Sequence, residues 1–206
     1  MTSPLEISIS LGGLADFVTA RSSRRIAVVR DVIDMYESEY DPSHDFYKQV
    51  REALRDGIPG GDDVRRVRAA VEAAHARRRR NYGEIADGWE SWRQRKDLVL
   101  QPQSRKWREQ ELEVSVSPLF IWRHGRQREL VWVYYKDAEL SVEAAQAVTR
   151  ILELTYGWEF GTPAALDIRR SQLHRARRRR PRDYDRWLEG EVSAFLRMFR
   201  SLGPAA

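Results

Sequence analysis

Arginine supplies most of the positive charge of this chain and is concentrated at two places. The chain has 36 lysine and arginine residues, and lysine occurs only at positions 48, 96, 106 and 136. The two clusters consist of Arg77, Arg78, Arg79 and Arg80, and of Arg175, Arg177, Arg178, Arg179, Arg180 and Arg182. Guanidinium groups bind phosphate through paired hydrogen bonds. Both clusters therefore predict contact with the backbone of DNA or RNA.

Aromatic residues follow the first cluster, where they could stack on bases. They are Tyr82, Trp89, Trp92 and Trp107. No helix-turn-helix, zinc-finger or RNA-recognition signature accompanies the arginines, so contact with the backbone is expected rather than readout of sequence. Two alternatives stay open: a solvated helix face with a loop, and a protein partner with an acidic surface.

Composition excludes several classes of site. The chain has no cysteine, which removes disulfides, thiolate zinc sites and cysteine nucleophiles. Its four histidines, at positions 44, 75, 124 and 174, have no metal-ligand spacing, and no phosphate-binding loop or serine-nucleophile motif occurs. A net charge of +5 with 42% hydrophobic residues is ordinary for a globular protein. No apolar run is long enough to span a membrane and no secretion signal is present, so a cytoplasmic location is expected.

The elements that position these residues begin with a short strand and two helices. Residues 5–10 alternate between apolar and polar types, which predicts a half-buried strand. Apolar residues at helical spacing predict helices over residues 24–36 and 46–57, the second ending at a glycine. The first arginine cluster lies in the segment that follows.

That segment, residues 62–92, carries apolar residues at spacings of three and four. The pattern predicts one helix of about 30 residues, roughly 45 Å long, or two helices divided at Gly83 or Gly88. Arg78 falls on the apolar stripe, so its guanidinium requires a carboxylate, an aromatic face or an external anion. A long helix of this kind would also suit contacts within an oligomer.

The second half changes its hydrophobic period. Residues 112–116 alternate as a strand with one solvated face, and 119–122 form a second strand before the turn at His124. Residues 130–135 are apolar on both faces and predict a central strand. Ser141 is the expected N-cap of a helix over 142–156, which ends at a glycine.

The remaining segments complete the predicted second half. Residues 164–168 predict a short strand, and Asp183 is expected to cap a final helix. The charged stretch 93–110 is expected to connect the two halves.

Two strands of this block resemble the signature strands of the restriction-endonuclease-like PD-(D/E)XK superfamily. They are Val116-Ser117-Pro118-Leu119-Phe120-Ile121 and Val131-Trp132-Val133-Tyr134-Tyr135-Lys136. The resemblance implies a Mg²⁺ site with one acid on the first strand, then an acid and a lysine two positions apart on the second. Lys136 matches the lysine that assists the attacking water.

The chain departs from this pattern at the acids. Tyr134 stands two positions before Lys136, and Ser117-Pro118 stands where the first acid would be. Tyrosine does not replace a carboxylate for Mg²⁺. An active nuclease would therefore need displaced acids such as Glu113 or Asp137 with Lys136, and otherwise the scaffold is non-catalytic and needs no cofactor.

The sequence thus predicts an α+β protein with a helical N-terminal half and a small mixed half with a three- to four-stranded sheet. The expected regions are 1–95, helical with one strand, and 108–206, nuclease-like, with one continuous domain as the alternative. The leading functional hypothesis is a non-catalytic protein associated with DNA or RNA. It would act within a larger assembly that serves a process such as DNA processing or phage defence. The alternatives are a divalent-metal nuclease and a purely structural adaptor or homo-oligomer.

Overall fold

The computed structural model describes residues 7–37, 45–101, 103–177 and 179–203. Seven helices occur in this part of the chain: α1 (Leu11–Thr19), α2 (Arg24–Glu37), α3 (Lys48–Gly57), α4 (Asp63–Ala73), α5 (Ala76–Arg93), α6 (Val142–Tyr156) and α7 (Tyr184–Leu202). The strands are β1 (Ile7–Ser10), β2 (Asp97–Leu100), β3 (Arg105–Glu109), β4 (Leu112–Val116), β5 (Phe120–His124), β6 (Gln127–Tyr134), β7 (Thr162–Asp167) and β8 (Gln172–Arg175).

The larger sheet has five strands in the order β2-β5-β6-β7-β8. Strands β6 and β7 are parallel, since α6 carries the chain back across the sheet, and the other neighbours are antiparallel. The last six residues of β6 are all buried, and five of them, Leu130 to Tyr134, form the continuous apolar run that predicts burial on both faces. The central position of this strand is therefore confirmed.

The smaller sheet has the order β1-β4-β3. Strand β1 lies parallel to β4, with Ile7 opposite Leu112, and β3 completes the sheet as an antiparallel neighbour of β4. The α+β class and the helical N-terminal half are confirmed. The sheets are more extensive than the single three- to four-stranded sheet expected, because the charged stretch 93–110 contains β2 and β3 and is not only a connection.

Alternating residues of β6 point into two separate hydrophobic clusters. Leu130, Trp132 and Tyr134 pack with α1, α6 and α7 on one face. Val131 and Val133 pack with α3, α4 and α5 on the other. Each cluster contains residues from both predicted regions, 1–95 and 108–206, and the boundary between these regions stays a prediction.

The predicted 30-residue helix is wrong, because the chain turns between α4 and α5. Ala74 has an extended backbone, and His75 occupies the N-cap of α5. The turn allows Val67 of α4 and Ile85 of α5 to enter the same hydrophobic cluster. Gly83 and Gly88 do not divide the segment, since α5 continues through both.

The capping of α6 is confirmed. The Ser141 hydroxyl accepts a hydrogen bond from the amide of Ala144 at 3.1 Å, and the helix ends at Gly157 with a positive φ of 60°. Asp183 stands at the N-cap position of α7 but makes no capping hydrogen bond through its side chain. Within the described ranges, every helix is too short or too polar to cross a bilayer.

Candidate functional site

The nuclease-like lysine lies at the carboxyl end of β6, beside the first helix. The Lys136 ammonium donates a hydrogen bond to the Asp16 carboxylate of α1, and the Tyr134 hydroxyl lies 3.5 Å from the same carboxylate. Burial raises the pKa of Asp16, and the neighbouring Lys136 opposes that rise. These side chains line a cleft of about 910 Å³ between α1 and α2.

The other two predicted catalytic residues lie in separate ion pairs. Glu113 of β4 pairs with Lys106 at 2.6 Å and with Arg108 at 2.7 Å, and these hydrogen bonds lower the pKa of its carboxyl group. Asp137 is 85% exposed and lies 3.3 Å from Arg169. Lys136, Glu113 and Asp137 are therefore not brought together.

The predicted Mg²⁺ site does not fit the residues found near Lys136. Within the described part of the chain, no group of three or more histidine, aspartate or glutamate residues is arranged to hold a metal ion. A buried acid, Asp167 of β7, lies opposite Tyr134 in the sheet. It accepts a hydrogen bond from the Leu140 amide at 3.1 Å and pairs with Arg170 at 3.2 Å. Asp167 thus holds the connection that follows β6, as a partner of arginine and not as a metal ligand.

The signature strand 116–121 is interrupted in the structure. Val116 ends β4 in the smaller sheet, and Phe120 begins β5 in the larger one. Between them the Leu119 amide donates to the carbonyl of Val131 at 2.8 Å. The segment therefore passes from one sheet to the other and cannot present an acid on a continuous strand.

The first arginine cluster is largely engaged within the protein. The Arg78 guanidinium lies 5.3 Å from the ring centroid of Phe46, so it finds the aromatic face that its place on the apolar stripe requires. Arg79 donates to the carbonyl of Ala74 at 3.3 Å, and Arg80 pairs with Glu84 at 3.0 Å. The predicted base-stacking residues Tyr82, Trp89, Trp92 and Trp107 are all buried. They serve as core residues, and their prediction as a stacking surface is wrong.

The second arginine cluster contains both structural and unpartnered residues. Arg175 pairs with Glu129 at 2.8 Å, and Arg180 pairs with Glu153 at 2.5 Å. Arg177, Arg179 and Arg182 are exposed and form no hydrogen bond or ion pair through their side chains with any described residue. Arg178 lies outside the described residues. We refer to residues 176–183, which join β8 to α7, as the basic loop.

The two clusters lie on opposite faces of the five-stranded sheet. Arg77 to Arg80 belong to α5, which packs against Val131 and Val133. The basic loop lies along α6 on the other face, where the Gln146 amide donates to the carbonyl of Arg175 at 3.4 Å. One continuous basic surface that combines both clusters with the end of β6 is therefore not formed.

A groove runs between α6 and the basic loop. It has a volume of about 210 Å³, and its lining includes Gln146, Arg177, Arg180, Tyr184 and Trp187. Burial raises the pKa of Tyr184 to about 12. The groove combines two arginines, two aromatic rings and an amide with one carboxylate, that of Glu143. Cationic, aromatic and amide groups are the side-chain chemistry that binds nucleotides.

No protein-family model, curated protein or solved structure matches this chain. The chemistry of its own residues is therefore the basis for proposing a function.

Three residues of interest were not found by sequence reasoning. Asp16 is 120 positions from Lys136, and no local pattern connects the two. Gln146 occurs inside an ordinary amphipathic helix, and Trp187 falls near the start of another. The only available signal was the closeness of Trp187 to the second arginine cluster.

Proposed function

We propose that this protein binds nucleic acid through the basic loop and does not cleave it. The observation that carries the proposal is the set of three exposed arginines, Arg177, Arg179 and Arg182, that have no hydrogen bond or ion pair among the described residues. Arg65 and Arg66, in contrast, are exposed but pair with Asp62, and exposed arginines that are unpaired among the described residues, such as Arg30, Arg55 and Arg126, lie on different elements of the fold.

Free guanidinium groups favour a polyanion for a thermodynamic reason. An arginine that already pairs with a carboxylate must lose that partner before it binds phosphate, whereas a solvated one exchanges only water and counterions. Neutralised phosphates release their condensed cations, and this release drives binding at low salt. The basic loop is therefore favoured over the first cluster, in which Arg78, Arg79 and Arg80 already contact an aromatic ring, a carbonyl and a carboxylate of the protein.

The non-catalytic part of the proposal is supported by the separation of the predicted catalytic residues. Glu113 is held by two cations of β3, and Asp137 is held by Arg169. Tyr134 occupies the position of a metal-binding acid. A role within a larger protein assembly or a homo-oligomer remains part of the proposal, and light scattering on the purified protein would test the oligomer.

The proposal is tested by fluorescence anisotropy with labelled DNA and RNA oligonucleotides across a salt series. The triple variant Arg177→Gln, Arg179→Gln, Arg182→Gln should bind roughly 100- to 1,000-fold more weakly at 50 mM salt. Its plot of log affinity against log salt should be shallower by about 2 to 3, because each lost phosphate contact removes about 0.7 to 0.9 from the slope.

A matched control removes the same charge from scattered positions. Arg30, Arg55 and Arg126 are exposed and have no hydrogen bond or ion pair with a described residue. The triple Arg30→Gln, Arg55→Gln, Arg126→Gln should retain most of the affinity and the slope. Equal losses in both triples would mean that net charge alone attracts the nucleic acid, and absence of binding at low salt would refute the function.

A divalent-metal nuclease is the second candidate, favoured by the position of Lys136 beside Asp16 in a cleft of about 910 Å³. Cleavage of plasmid, single-stranded DNA and RNA would be measured with Mg²⁺ and Mn²⁺ for the wild type and Lys136→Ala. Cleavage that disappears in the variant would support this candidate over the binding proposal. Equal cleavage by both proteins would exclude Lys136 as the catalytic lysine.

A further inference from the structure

Polar atoms that lack partners are concentrated at the groove between α6 and the basic loop. Eight buried side-chain nitrogen and oxygen atoms of the described residues have no hydrogen-bond partner. Four of them belong to three residues that line this groove: Gln146 Oε1, Arg180 Nε, Arg180 Nη2 and Tyr184 OH. The other four are scattered over four residues elsewhere in the fold.

Buried polar atoms without hydrogen-bond partners raise the free energy of the folded state. Buried donors and acceptors are almost always paired, and each unpaired one loses its hydration without compensation. Gln146 is only 9% exposed, and its amide nitrogen is already used by the Arg175 carbonyl. Its oxygen is unpaired but has less than 1 Å² of accessible surface, so an external donor would reach it once a side chain of the groove wall moves aside.

The unpaired groups include both donors and an acceptor. Arg180 offers two N–H donors, Gln146 offers a carbonyl oxygen, and the Tyr184 hydroxyl can take either role. A phosphate group is fully deprotonated or nearly so at neutral pH and presents acceptors, which would leave Gln146 unsatisfied. The edge of a nucleobase carries N–H donors beside carbonyl or ring-nitrogen acceptors, and it satisfies both kinds of group at once.

An aromatic surface completes the groove. The rings of Tyr184 and Trp187 lie 5.1 Å apart with an interplanar angle of 48°, and Trp187 is partly exposed. Aromatic side chains provide a stacking platform for unpaired bases. Bases inside a duplex are stacked and paired with one another, so a pocket of about 210 Å³ cannot receive them without unpairing.

We propose that this groove binds one unpaired base of a single-stranded nucleic acid. The base stacks on Trp187 and forms hydrogen bonds with Gln146, Arg180 and Tyr184. Arg177 lies on the groove wall, and Arg182 lines an adjoining hollow of about 120 Å³ that shares Arg180 and Tyr184 with the groove. These two arginines are placed for the flanking phosphates. This inference rests on the proposed function, in which the basic loop binds the backbone.

The decisive comparison is between a labelled 15-mer of thymidine and an abasic 15-mer with the same sugar–phosphate chain. The base-bearing strand should bind about tenfold or more tightly, since stacking on an aromatic side chain contributes a factor of that order. A 15-base-pair duplex should bind more weakly than the single strand at equal salt, although it carries more charge.

Two substitutions separate the base contacts from the phosphate contacts. Tyr184→Phe removes only an unpartnered hydroxyl and should leave thermal stability unchanged or slightly higher, while affinity for the thymidine strand falls about two- to tenfold. Trp187→Leu keeps an apolar group against the core and should lose most of the preference for bases. Trp187→Phe should retain that preference, and none of the three should alter affinity for the abasic strand.

The outcomes distinguish the base site in the groove from backbone binding by the basic loop. Equal binding of the thymidine and abasic strands would overturn the base site and leave backbone binding by the basic loop intact. Preferential binding of the duplex would do the same. If neither strand nor duplex binds at 20 mM salt, both the base site and the proposed function are refuted. A base preference that survives Trp187→Leu with unchanged circular dichroism would also overturn the assignment of the groove.

Discussion

Gly88 provides a sharp test of how α5 packs against the five-stranded sheet. A Cβ atom added to Gly88 would lie 2.0 Å from the carbonyl oxygen of Ile168 and 2.7 Å from that of Arg169. The Ser171 hydroxyl donates to the carbonyl of Gly88 at 2.7 Å. The helix therefore touches the backbone that follows β7 at this residue. Gly88→Ala should force the two apart.

The size of the effect follows from two opposing contributions. Alanine is better than glycine inside a helix by about 1 kcal/mol. Overpacking a close contact costs about 1 to 3 kcal/mol, and more where the neighbour is backbone that cannot rotate away. Because both atoms that face Gly88 are carbonyl oxygens, we expect the clash to dominate. With a clash at or above the upper end of that range and the helix gain of about 1 kcal/mol subtracted, Gly88→Ala should lower the free energy of unfolding by about 2 kcal/mol or more.

Gly83 is the matched control in the same helix. A Cβ atom at Gly83 would meet no atom within 4 Å. Gly83→Ala should therefore show the helix propensity alone and raise the free energy of unfolding by about 0.5 to 1 kcal/mol. Urea unfolding would be followed by circular dichroism and tryptophan fluorescence, and each kcal/mol should shift the melting temperature by about 2 to 4 °C.

The expected order of stability is Gly83→Ala, wild type, then Gly88→Ala. A Gly88→Ala protein as stable as the Gly83→Ala protein would refute the close approach of α5 to the sheet. A destabilised Gly83→Ala protein would instead refute the continuous helix with free space for a Cβ atom at that position.

Two further comparisons test ion pairs. Burial raises the folded-state pKa of Asp16, so its ionised form lowers stability above that pKa and the penalty disappears as pH falls through it. At pH 7 Asp16→Asn should be as stable as wild type or more so, whereas Lys136→Ala should lose up to about 1 kcal/mol in urea titrations. Arg175→Ala should lose about 1 to 3 kcal/mol because buried Glu129 keeps only His124 as a partner. Arg177→Ala should stay within about 0.5 kcal/mol of wild type in the same melts.

The elements with strong local signals were predictable. The helix over 142–156 combines a serine cap, an apolar stripe and a terminal glycine, and the central strand is a continuous apolar run. Strand β3 has only Trp107 among its five residues as an apolar side chain, so its charged sequence gives no strand signal. Pairing with β4 makes this segment a strand, and pairing of that kind depends on tertiary context.

The break between α4 and α5 and the composition of the groove were not predictable for a related reason. The break falls at Ala74 and His75, so no glycine or proline marks it in the sequence. The chain turns there because both helices then reach one hydrophobic cluster. Gln146 and Tyr184 are 38 positions apart and are brought together by packing of the basic loop on α6. The arginine clusters could be found by inspection, but only the ion pairs of the folded chain distinguish free guanidinium groups from engaged ones.

The parallel pairing of β1 with β4 has a consequence for synthesis of the chain. Strand β1 is synthesised well before its partner β4, which begins only at Leu112. At about 5 to 20 residues per second, the first strand waits on the order of 5 to 20 s before β4 has been synthesised. Residues 7–10 and the apolar face of α1 therefore emerge from the ribosome without their final neighbours. A nascent chain stalled before Leu112 should be more sensitive to protease at this segment than one stalled after β4.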